Sequence, residues 1–200
     1  MKSVLISIQP KWCELIANGG KTIEVRKTKP KIDTPFKCYI YETKAPKLKY
    51  VWTKKDYEGY PWFEGMDENE KVFCKLPQGR GKVIGEFVCD SITEFYPTME
   101  LKQLNSLHFQ MCDKSCVNMA DLYNYANGKM LYGWHISDLV IYDKPKELSE
   151  FFIDCGHNPK CDGCEMRYYT YCRSIIDGHR PLTRPPQSWC YVEEGGEAHE

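Results

Sequence analysis

Two hundred residues, 42% apolar and 28% charged, describe one folded domain with room for an appendage and exclude a fibrous or disordered chain. No apolar run approaches the roughly 20 residues that span a bilayer, and the N-terminus MKSVLISIQPKW lacks the apolar core of a signal peptide. A cytoplasmic location with no membrane partner is therefore expected, and nothing in the sequence addresses the oligomeric state.

The net charge of −1 hides an imbalance. Residues 1–55 carry 13 Lys or Arg against four acids, and the remainder carries 14 against 24. This reads either as a basic face for an anionic partner or as a lysine-rich solvated surface.

Along the chain, SVLISI (3–8) is a short β-type run. Pro10 suits the first turn of a helix, PKWCELIAN places Trp12, Leu15 and Ile16 at helical spacing, and Gly19-Gly20 stops it. KTIEVRK then alternates Ile23 and Val25 with Thr22, Glu24 and Arg26, a period-two strand whose polar side chains share one face. FKCYIYE (36–42) repeats the alternation. Residues 43–70 show no clean period and read as a long loop or insertion. Strand signals return at KVFCKL and at GKVIGEFVCDSITEF, where Gly85 marks a bulge. Helices are expected from Pro97 through MELKQLNSLHF and again from Asn118 to Ala126, the second stopped by Gly128. LYGWHISDLVIYDKP reads as a strand pair or one long bent strand. Elements in this order point to a mixed, curled sheet or small barrel with helices at one end, not to a doubly wound fold.

Eleven cysteines without a secretion signal favour reduced thiols or metal ligands over disulfides. Cys13, Cys38, Cys74 and Cys89 sit among apolar residues and read as small buried hydrophobes. Cys155, Cys161, Cys164 and Cys172 hold one C-x2-C knuckle and form the strongest metal signal, a structural zinc site in which His157 or Cys190 can replace one ligand. Reduced, packed cysteines are the alternative, and Cys112-x3-Cys116 is a weaker pair. RPPQSWCYVEE, with Trp189 and Tyr191, is expected to pack back on the domain.

The segment SIQPKWCELIANGGKTIEVRK resembles the opening of ASCH domains, whose hallmark G-x-K-x-x-E-x-R reads here from Gly19 through Lys21 and Glu24 to Arg26. GKVIGEFVCDSI and YGWHISDLVIYDKPKEL are similar to the central and closing strands of short bacterial and phage members. The resemblance implies an α+β, PUA-like mixed β pseudo-barrel with flanking helices over residues 1–150, with a loop insertion at about 43–70. A Cys-rich extension at 151–192 and a disordered acidic tail at 193–200 would follow. It also implies recognition of RNA, a nucleotide or a nucleoside. Lys21 occupies the position of the catalytic lysine in small relatives that hydrolyse N4-acetylcytidine. Their threonine three positions on is Glu24 here, a departure that argues against that chemistry.

Two roles stay open for the cluster. As a binding site, Arg26 offers a donor fork to phosphate or a base edge, Lys21 a mobile charge, and Glu24 an acceptor. As a hydrolase site acting on a modified nucleoside or on RNA, Lys21 and Glu24 would be the catalytic pair. Trp12 is either a core residue or a base-stacking platform. Trp134, His135 and Ser137 are further ligand-binding candidates; Trp134 and His135 point to opposite strand faces, so only one of those two can line a given cleft. A third reading is a zinc-stabilised protein-interaction module.

Overall fold

The computed structural model describes residues 2–44, 49–53, 71–74, 79–154 and 179–194. A strand β1 (Ser3–Ile8), a helix α1 (Pro10–Ala17), and strands β2 (Ile23–Arg26) and β3 (Phe36–Glu42) open the chain. β4 (Lys49–Thr53) and β5 (Lys71–Cys74) follow, then β6 (Val83–Cys89) and β7 (Ile92–Phe95). Two helices, α2 (Ser106–Ser115) and α3 (Met119–Ala126), precede β8 (Leu131–His135) and β9 (Ser137–Lys146). β10 (Phe151–Asp154), β11 (His179–Pro181) and β12 (Trp189–Glu194) complete it.

The strands form a mixed seven-stranded sheet ordered β11-β10-β12-β1-β3-β6-β9, a three-stranded sheet ordered β2-β8-β7, and the β4-β5 ribbon. β1 pairs with β3 in parallel, Val4 opposite Cys38, and with β12 antiparallel. That parallel pair needs a crossover, which α1 and β2 supply.

Side-chain alternation distributes the strands among three apolar clusters. Val4, Ile6 and Ile8 of β1 face inward with Cys38, Ile40, Phe87 and Trp134, joining the large sheet to the small one. Leu5, Tyr39, Tyr41, Phe151, Leu182 and Val192 cover the opposite face of the large sheet. Ile23 and Val25 of β2 pack with Met111 of α2 and with Leu122 and Ala126 of α3. β1 is thus buried on both faces, which suits a strand that is apolar apart from Ser3 and Ser7.

Several expectations shift. The helix expected from Pro97 begins only at Ser106, after a single 3-10 turn at Leu101–Gln103. Asn105 decides the start: its side chain accepts from the N–H groups of Leu107 and His108 in a capping box. Within the stretch taken as a loop, Lys49–Thr53 is strand β4, paired with β5; YVWT is a run of residue types that favour strands. The LYGWHISDLVIYDKP run divides at Ile136, and its halves join different sheets. Glu193 and Glu194, assigned to the acidic tail by composition, pair with Phe152 and Phe151 as the end of β12. β10 and β12 are strands of the main sheet, so the described part of 151–194 is continuous with it.

Candidate functional site

β2 carries the charged cluster, and its first residues are fastened at both ends. Gly19 adopts φ +77°, the left-handed conformation that ends α1. The Lys21 N–H then returns to Leu15 O at 2.9 Å, and the Thr22 N–H donates to Lys114 O at 2.9 Å. The chain therefore enters β2 between the C-terminal ends of α1 and α2.

Along β2 the period-two pattern holds, but both faces are covered. Ile23 and Val25 enter the cluster under α2 and α3, while Glu24 stands opposite Trp134 of β8 on the other face. Lys21, Glu24 and Arg26 are only 3%, 6% and 9% exposed. This is a floor inside the molecule, not a solvated edge.

Glu24 is the hub. Its Oε2 lies 3.3 Å from Lys21 Nζ, and its Oε1 lies 3.0 Å from Arg26 Nη2. Lys21 Nζ also donates to Ser115 O, at the C-terminal end of α2, at 2.7 Å. Such a carbonyl is a favourable partner for an ammonium, because α2 ends there with unsatisfied acceptors. Arg26 Nη2 donates to Ser7 O at 2.7 Å, and Nη1 reaches Ser188 Oγ at 3.5 Å. Burying ions requires such mutual pairing, and here one carboxylate serves two cations.

Four buried polar atoms have no hydrogen-bond partner among the described residues: Glu24 Oε2, Arg26 Nε, Ser115 Oγ and Trp134 Nε1. For Glu24 Oε2 the ion-pair distance to Lys21 is met, but the geometry aligns no hydrogen bond. Glu24 and Arg26 thus retain unused acceptor and donor capacity beside a cleft of about 860 Å³, in whose lining both stand.

Three other parts of the chain wall that cleft. The start of α1 contributes Gln9, Lys11 and Trp12, α3 contributes Asp121 and Tyr125, and the segment before β12 contributes Pro185, Pro186 and Gln187. The last is pinned where Ser7 Oγ donates to Pro186 O at 2.7 Å and Ser7 N–H to Ser188 O at 2.9 Å. Trp12 is half-buried, with the Lys11 and Lys21 ammonium groups 4.1 and 5.1 Å from its ring centre. Tyr125 has Lys27 Nζ 4.7 Å from its ring. Partial burial raises the Tyr125 phenol above its ordinary pKa, with Glu24 adding to the rise and Arg26 opposing it, so it is an un-ionised donor at neutral pH.

Of the residues singled out by sequence, Lys21, Glu24, Arg26 and Trp12 come together, whereas Trp134, His135 and Ser137 do not line the cleft. Trp134 is fully buried, edge-on to Phe36 at 5.7 Å and tilted against Trp189 at 6.0 Å. His135 Nδ1 bonds Asp90 Oδ1 at 2.7 Å, and Ser137 Oγ donates to Val88 O at 2.9 Å. Asp121 and Tyr125 escaped the sequence reading. Their i, i+4 spacing on α3 places them on one face, but no local signal says what that face meets.

Cys155, Cys161, Cys164, Cys172 and His157 lie outside the described residues. Among the described residues, no group of three or more His, Cys, Asp or Glu is placed to hold a metal. Cys13, Cys38 and Cys89 are free and buried, Cys112 and Cys116 half-buried. No described helix is long and apolar enough to cross a membrane.

No protein-family profile and no curated protein matches the chain. Solved structures do. The crystal structure of ASCH from Zymomonas mobilis is 16% identical, with 96% of this chain and 87% of that chain covered at a TM-score of 0.51. A serine-to-alanine variant of the same protein matches at 16% identity, 96% and 88% coverage, and a TM-score of 0.54. The chain has an ASCH-like α+β fold.

Proposed function

We propose that this chain binds RNA or a nucleotide through the cleft floored by Lys21, Glu24 and Arg26. The observation that carries the reading is the buried three-membered ion cluster with spare hydrogen-bonding capacity, set in a cleft that also holds Trp12 and Tyr125. Aromatic rings take the faces of bases, whereas carboxylate, ammonium and guanidinium groups take their edges or phosphates. The ASCH-like fold supports the same reading, since RNA recognition is what that resemblance implies.

Binding is favoured over catalysis by Lys21 because both of its partners, the Glu24 carboxylate and the Ser115 carbonyl, interact more strongly with an ammonium than with a neutral amine. Arg26 is spent largely on orientation: Ser7 O and Glu24 occupy its Nη2. It fixes the direction of the Glu24 carboxylate at the cleft floor.

The test is titration of the full chain with oligoribonucleotides and mononucleotides, followed by tryptophan fluorescence at several salt concentrations. Affinity that falls with salt and drops about 5- to 150-fold in Trp12→Ala is expected, the loss of one stacking contact. No binding at low salt, or binding indifferent to Trp12→Ala, refutes the reading. Release of cytidine from N4-acetylcytidine would replace it with the hydrolase alternative.

A further inference from the structure

Two aromatic residues line the cleft from different walls, and each has a lysine beside its ring. Trp12 of α1 has Lys11 Nζ 4.1 Å from its ring centre, and Tyr125 of α3, 41% exposed, has Lys27 Nζ at 4.7 Å. Neither Lys11 nor Lys27 has a carboxylate partner among the described residues. A lysine beside a ring is common and by itself identifies nothing. Two other such pairs differ in kind: Tyr39 is buried and its Lys37 is paired with Glu86, while Lys29, beside Tyr132, is paired with Glu94. What sets Trp12 and Tyr125 apart is that both belong to one cleft.

The segment leaving β2 carries the same character past that cleft. Lys27, Thr28, Lys29 and Lys31 are exposed. The segment is pinned to β12, where Trp189 Nε1 donates to Thr28 Oγ1 at 3.0 Å and the Lys31 N–H donates to Tyr191 Oη at 2.6 Å. Lys31, like Lys27, has no carboxylate partner among the described residues, whereas Lys29 is spent on Glu94. Ammonium groups on a backbone already held in place lose less freedom when they meet an anionic chain. Within the cleft, Glu24 is held by its two cations, which leaves Asp121 as the acid opposing Lys11 and Lys27. The volume of about 860 Å³ lies near the upper end of the roughly 300–1,000 Å³ that small ligands fill, which suits more than one nucleotide.

We propose that the cleft holds two consecutive nucleotides of single-stranded RNA, one base on Trp12 and the other on Tyr125, and that the strand continues over Lys27 and Lys31. The inference rests on the RNA-or-nucleotide reading above and narrows it to a polymer. Each ring takes the face of a base, and the lysine beside it takes a phosphate of the same strand. Bases stacked within a duplex offer no free face, so an unpaired strand is the form that uses both rings.

Calorimetric titration of the full chain with mixed-sequence ribonucleoside monophosphates, dinucleotides and longer single strands, and with the longer strands in duplex, tests this. Dinucleotides are expected to bind about 5- to 150-fold tighter than monophosphates, the gain of a second stacking contact. Tyr125→Ala is expected to bring that ratio close to one and Tyr125→Phe to preserve it; a loosened wall would weaken every ligand and leave the ratio where it was. Lys27→Ala and Lys31→Ala should each lower the slope of log affinity against log salt by about 0.7 for the longer strands. Monophosphates binding as tightly as dinucleotides would overturn the two-nucleotide site and leave the nucleotide reading standing. A ratio unmoved by Tyr125→Ala, or duplex bound as tightly as single strand, would overturn it likewise. Absence of binding by every probe would remove the nucleotide reading and this site with it.

Discussion

Glu24 holds two buried cations, so the consequences of changing it are unequal. Glu24→Ala leaves Lys21 and Arg26 without their shared carboxylate and is expected to cost about 3–5 kcal/mol of folding stability, measured by urea denaturation. Glu24→Gln keeps the shape and one acceptor and should cost less, while removing the charge that a ligand meets. A second carboxylate, Glu86 on β6, contributes to the acid limb. Burial raises its pKa, but hydrogen bonds from Lys37 and Tyr142 outweigh that and hold it below the ordinary glutamate value. Its contribution to stability is therefore complete above the unfolded carboxyl range and is lost as pH falls through the folded value. Glu86→Gln should flatten the dependence of the urea midpoint on pH below about pH 5 and leave neutral pH less affected. The thiols follow the opposite logic. Burial pushes Cys89 up to about 12 and raises Cys13 and Cys38 well above the ordinary thiol range. All three should resist alkylation in the folded protein at neutral pH and react on unfolding, as mapped by mass spectrometry.

Elements carry the cleft's walls, and their placement depends on caps and close approaches. The Asn118 side chain accepts the Asp121 N–H at 2.8 Å and thereby starts α3, the helix that brings Asp121 and Tyr125 to the cleft. Asn118→Ala should lower stability by about 1 kcal/mol and weaken ligand binding less than Trp12→Ala does, by loosening a wall without removing a contact. Between β6 and β9 the limit is steric. A Cβ at Gly85 would meet Val140 O at 2.4 Å, a backbone atom that cannot yield without shifting β9. Gly85→Ala is expected to cost about 1–3 kcal/mol. At Gly133 the nearest atom, 2.3 Å away, is the Met111 methyl, the end of a flexible side chain, so the same substitution there should be milder. The ladder register shifts at Gly85, so its reading as a bulge marker agrees with the pairing.

On the scale of the whole molecule, the cleft is assembled from distant segments. Its floor is β2, one wall is a helix about a hundred residues later, and another comes from Pro185–Gln187 near the chain's end. The basic bias of the first quarter finds a location in part, since Lys11, Lys21 and Arg26 all line the cleft. The zinc expectation rests on the spacing of Cys155, Cys161, Cys164 and Cys172. Elemental analysis of protein purified without chelator should find about one zinc per chain, and well under that would dispose of it.

Local physics was readable from the sequence, and it reached surprisingly far into the site. Period-two alternation puts Glu24 and Arg26 on one face of β2, the Gly19-Gly20 stop sets Lys21 at its mouth, and Pro10 begins the helix that carries Trp12. These relations hold over a few residues and follow from backbone geometry. The sequence by itself therefore determined which side chains share a face. It did not determine what that face meets, because alternation specifies relative orientation and is silent about which layer covers it. Only the tertiary structure turned the polar face of β2 inward, placed Trp12 at the cleft and Trp134 in the core, and brought Tyr125 and Gln187 to the walls. Sheet order and layer packing decide those, through pairings such as β1 with β12 that span nearly the whole chain.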